Sequence, residues 1–66
     1  MLNILEKIDI LMLEKEIKNK LLENKIIQIK QLTDLKKKDL IKIGFKQKEI
    51  EHIEIKLQLE GFDLKQ

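Results

Sequence analysis

His52, the chain's one imidazole, stands between Glu51 and Glu54 in the run "KEIEHIE", the one place where residue types suited to acid–base chemistry gather. A general base needs a nucleophile to activate or a second titrating group set against it. The sequence has no serine and no cysteine, and its single threonine, Thr33, falls at a candidate helix cap. One imidazole without a second His or a Cys does not complete a typical metal site. At helical spacing, Glu51 and Glu54 lie one turn apart on a solvated face with nothing to desolvate them. Catalysis, a metal, a cofactor and a small-molecule substrate are therefore not expected, and spacing alone makes His52 a surface residue.

Lysine is abundant enough to define a surface. Six lysines (36, 37, 38, 42, 46 and 48) against Asp39 give residues 36–48 a net charge of +5. Glu49, Glu51, Glu54, Glu60 and Asp63 against Lys56 give residues 49–63 a net charge of −4, so the overall +2 conceals a dipolar molecule. Within the basic part, Gly44 to Lys48 ("GFKQK") separates two helical patterns. Glycine closes a helix in the left-handed conformation at no steric cost, and the exposed N–H groups of the next helix start add to the lysines. Gly44, Lys46 and Lys48 thus read as an anion-facing turn. With no arginine, planar bidentate reading of base edges is not expected. A second lysine group, Lys15, Lys18 and Lys20, surrounds Glu16.

The elements that must hold these residues are helices. Leu13, Ile17, Leu21 and Leu22 recur at three- and four-residue spacing and predict a helix over residues 13–24. Ile26, Ile27, Ile29 and Leu32 predict a short second helix over 26–31. A third, "KKKDLIKI", has Thr33 or Asp34 as N-cap, an inner face of Leu40, Ile41 and Ile43, and Gly44 as its end. The fourth and longest, over 47–60, uses Ile50, Ile53, Leu57 and Ile55 and stops at Gly61. The first dozen residues either continue helix one, capped by Asn3, or lie extended across the bundle.

The expected fold class is all-α: a single domain over residues 1–66, a compact bundle of four to five short helices. A domain of this size buries roughly 60% of its unfolded surface, which leaves no room for a deep cleft. With 42% hydrophobic and 39% charged residues and no cysteine, stability must come from packing. No apolar run reaches the roughly 18 residues of a spanning helix, and no signal segment is recognisable, so a cytoplasmic protein without a membrane partner is expected. The lysine, isoleucine and asparagine excess is the composition expected of an A+T-rich genome.

Laid without gaps over residues 8–42, the sequence resembles the C-terminal domain of the bacterial RNA polymerase alpha subunit. The marks are Ile8, Asp9, Leu11 and Leu13, then Asn19 and Leu21, then Ile26, Ile29, Leu32, Asp39 and Leu40. After about a one-residue adjustment near Ile43 the likeness resumes at Phe45, Lys48, Ile50, Ile53 and Leu57 and closes on "EGFDL". The resemblance implies a helix-hairpin-helix element and a transcription-associated module that binds A+T-rich duplex DNA in the minor groove and contacts protein partners. It would put the DNA surface on Glu16, Asn19 and Lys20 of the first helix and on Lys46, Lys48, Glu49 and His52 at the hairpin. Asn19 and Lys48 retain the family's residues, whereas Glu16 replaces its principal DNA-contacting arginine and Lys46 its hairpin glycine. Lys15, Lys18 and Lys20 around Glu16 are expected to keep a weaker phosphate contact. Lacking the alpha subunit's assembly domain, the chain is expected to be free-standing, as in a phage, plasmid or other mobile element. "LTDLKKKDLIKIGF" is also similar to sterile-alpha-motif domains, which implies the alternative of a protein-interaction module, its basic segment meeting the acidic segment of a neighbour.

Overall fold

Three of the four helices end in the same way, and that repeated stop sets the architecture. In this computed structural model, which describes residues 4–65, α1 spans Lys15–Glu23, α2 Ile29–Thr33, α3 Lys37–Ile43 and α4 Gln47–Leu59. After α1, α3 and α4 the chain turns through a left-handed residue: Lys25 (φ 62°), Gly44 (φ 116°) and Gly61 (φ 84°). In each case the next N–H reaches back five residues to a leucine carbonyl. Ile26 N donates to Leu21 O at 2.9 Å, Phe45 N to Leu40 O at 3.1 Å and Phe62 N to Leu57 O at 2.8 Å. These are Schellman closures, in which an apolar residue after the turn packs on one near the helix end. Leu21, Leu40 and Leu57 are fully buried, Ile26 and Phe45 nearly so, and Phe62 partly.

The helix starts share a device too. Gln31 Oε1 accepts from Gln28 N at 2.9 Å, Asp39 Oδ2 from Lys36 N at 2.9 Å and Glu49 Oε1 from Lys46 N at 2.8 Å. Each is the returning arm of a capping box, a third-position side chain satisfying the N-cap N–H. The N-cap of α3 is therefore Lys36, not Thr33 or Asp34. Thr33 is the last residue of α2, its hydroxyl donating to Lys30 O at 3.0 Å, and Asp34 caps the end of that helix.

The second helix also starts later than its apolar pattern suggests. Lys25 takes the left-handed turn, so Ile26 and Ile27 lie outside any helix, and Ile27 O accepts from Ile8 N at 2.8 Å. The leading segment neither continues α1 nor runs extended across the bundle: residues 4–6 form a turn and a bend, and Lys7 alone makes a bridge. Ile29 N donates to Glu6 O, Lys30 N donates to Ile4 O, and Lys7 bridges Gln28 in antiparallel fashion. A 3-10 turn at Ile8–Leu11 then buries Ile8 and Leu11, and left-handed Met12 separates it from α1. The proposed cap Asn3 lies outside the described residues.

The result is an all-α bundle around one core, measuring 30 × 23 × 17 Å. Ile17, Leu21, Ile29, Leu32, Leu40, Ile50, Ile53 and Leu57 fill it from the four helices. Four apolar residues of the predicted helical patterns lie outside: Ile41 and Ile55 are more than half exposed, Ile27 nearly half, and Leu22 sits at the margin. A helix one to two turns long covers the core with few positions, and Leu40 with partly buried Ile43 occupies those that α3 offers. Among the described residues no helix is long and apolar enough to cross a membrane.

Candidate nucleic-acid interface

The α3–α4 connection is a three-residue hairpin, Gly44, Phe45 and Lys46, anchored by Phe45 in the core. Gly44 needs its glycine for backbone reasons alone. A Cβ there would meet only Lys20 Nζ at 3.9 Å, ordinary contact, but φ of 116° is a conformation that L side chains rarely adopt. From α1, Lys20 reaches across and donates from Nζ to Gly44 O at 2.9 Å, while its ammonium lies 5.0 Å from the centroid of the Phe45 ring. This clamp, between residues 24 apart in sequence, joins the two stretches that sequence reasoning had only placed side by side by resemblance.

Around the clamp, Asn19, Lys46 and Lys48 are exposed. Glu16, also exposed, stands one turn before Lys20 on α1. The remaining candidates have other engagements. Glu49 is half-buried, and its carboxylate caps α4 by accepting from Lys46 N–H. Lys18 forms an ion pair with Asp9 at 3.2 Å. His52 is partly buried rather than a plain surface residue, and its Nε2 is enclosed with no hydrogen-bond partner. Locally, then, Lys20, Lys46 and Lys48 face two carboxylates, Glu16 and Glu49. The surface is only weakly positive.

The basic run 36–48 is divided by the fold. Lys36, Lys37 and Lys38 open α3, while Lys46 and Lys48 follow its end; seven helical residues span about 10 Å. Lys37 also pairs with Glu54 of α4 at 3.4 Å, so the basic and acidic segments neutralise one another in part within one chain. Sequence reasoning missed both the Lys20 clamp and the grouping of Lys65 with Lys36–Lys38 beside the C-terminal segment. No local spacing signals either, because both join residues more than twenty positions apart. No family model matches the sequence, and no curated protein or solved structure matches it.

Proposed function

We propose that the chain is a non-catalytic, transcription-associated DNA-binding module that holds the backbone of an A+T-rich duplex at the junction of α1 and the hairpin. The observation that supports this reading is the Lys20–Gly44 clamp, which ties α1, where Asn19 precedes Lys20, to the hairpin that leads into exposed Lys46 and Lys48. An ammonium group has three donors, and Gly44 O uses one of those on Lys20, leaving two for phosphate oxygens. Phosphate contacts of this kind fix position and carry no base reading. The A+T preference rests on the resemblance to the alpha-subunit domain.

Three lysines opposed by Glu16 and Glu49 make a modest, strongly salt-dependent binder. Each phosphate neutralised contributes about −0.9 to the slope of log K against log salt, so a slope of about −2 to −3 is expected. The test is an amide NMR titration with a short A+T-rich duplex at low and at near-physiological salt. Saturable shifts at residues 19–21 and 44–49 that fade with salt support the module. Lys48→Glu should then weaken binding and reduce the slope by about one, whereas Glu60→Lys should leave both nearly unchanged. No shifts at low salt overturn the reading. Head-to-tail self-association has less to draw on, since Lys37 already pairs with Glu54 inside the chain.

A further inference from the structure

A groove of about 520 Å³ lies between the start of α3 and the C-terminal segment, on the far side of α3 from the hairpin turn. Lys36, Lys37, Lys38 and Lys65 line it together with two carboxylates, Glu54 and Asp63, and the side chain of Leu64, which is 5% exposed. Both carboxylates are already engaged. Glu54 pairs with Lys37 at 3.4 Å, and Asp63 accepts from Leu64 N at 2.8 Å and from Gln58 Nε2 at 3.4 Å. Lys36, Lys38 and Lys65, by contrast, form no ion pair among the described residues. The groove therefore presents three uncommitted ammonium groups beside a leucine.

Backbone hydrogen bonds tie its C-terminal wall in place. Lys65 N donates to Leu35 O at 2.9 Å, which ties the C-terminal wall to the α2–α3 link, and Phe62 N to Leu57 O holds the turn after α4. A pre-formed cleft of this volume falls within the roughly 300–1,000 Å³ of ligand-sized sites and spares a ligand the entropy of ordering loops. A duplex presents a convex rail of phosphates, one charge per about 1.7 Å of axis, which suits protruding lysines rather than a concavity with an apolar side chain in it. A single extended peptide strand fits the concavity, and carboxylates flanking an apolar side chain match its chemistry.

We infer that this groove docks a short acidic segment of a partner protein, its carboxylates meeting Lys36, Lys38 and Lys65 and an apolar side chain resting among the lysine stems. The inference does not depend on DNA binding at the hairpin. It gives the molecule two basic surfaces with different ligands.

The test uses the full chain, amide-labelled, titrated with the acetylated and amidated peptide Glu-Glu-Asp-Leu-Glu-Glu. The expected result is saturable shifts at residues 36–38 and 63–65 with Kd below about 1 mM. Lys38→Glu and Lys65→Glu should each weaken binding by about fivefold or more, with the spectrum of the free protein otherwise unchanged, while Lys48→Glu should have no effect. Replacing the peptide's leucine by serine should weaken it as well. Absence of shifts in these residues overturns the inference. So does an equal response to inorganic pyrophosphate or to duplex DNA, which would make the groove a phosphate site. Movement of the same amides on concentrating the protein alone would make a second copy the occupant and overturn it equally.

Discussion

The ammonium of Lys20 is shared between a carbonyl oxygen and an aromatic face, so removing it acts on the fold before it acts on any ligand. Lys20→Met keeps the stem and loses both contacts; a loss of about 1 kcal/mol in urea unfolding is expected, with faster amide exchange at residues 44–46. Gly44→Ala should cost about 1–2 kcal/mol although the added methyl group has room, because the cost lies in the backbone at φ of 116°. At His52 the sign reverses. Its enclosed Nε2 has no partner, and an unsatisfied buried polar atom costs more than an apolar group of the same shape. His52→Phe should raise stability by about 1 kcal/mol, read from the urea midpoint. Glu16→Lys replaces a repelling charge one turn from Lys20, and should tighten duplex binding several-fold at low salt while leaving the peptide groove unaffected.

At the scale of elements, the helix stops explain what was legible. Gly44 and Gly61 announced two ends because glycine is the usual occupant of the left-handed closing position. The third closure, after α1, is the same in hydrogen bonding, yet a lysine fills it and no residue type announces it. Ile26 and Ile27 then looked like the start of α2, although the turn at Lys25 leaves them outside any helix. Lys25→Gly should relieve that position and stabilise the fold by about 1 kcal/mol in the same urea experiment. The acids at the third helical positions, Asp39 in α3 and Glu49 in α4, mark those starts more faithfully than Thr33 and Asp34, which are cap-forming types in the wrong place. The long-range pairing of the leading segment with residues 27–30 leaves no periodic trace, since backbone groups make it. The charged candidates were legible as residues and not as partners: spacing gave the lysines, and only the packing of α1 on the hairpin joined Lys20 to Gly44.

As a whole molecule, a single core of this size supplies no more than about 3–5 kcal/mol. One large truncation uses most of that. Leu21→Ala, at a fully buried closure leucine, should cost about 2–5 kcal/mol and leave the chain largely unfolded at 37 °C by circular dichroism. With no disulfide to limit the unfolded chain, surface variants tested for binding are best compared at low temperature, where the fold is populated in all of them.

Ile4 O is held by Lys30 N and Lys65 N by Leu35 O, so both extremities of the described chain are fastened to α2 and the link that follows it, five residues apart. The described chain thus begins and ends on backbone ties to one short stretch, residues 30–35. Loosening of either tie should therefore appear first as faster amide exchange at Lys30 or Lys65, while the amides inside α1 and α4 stay protected.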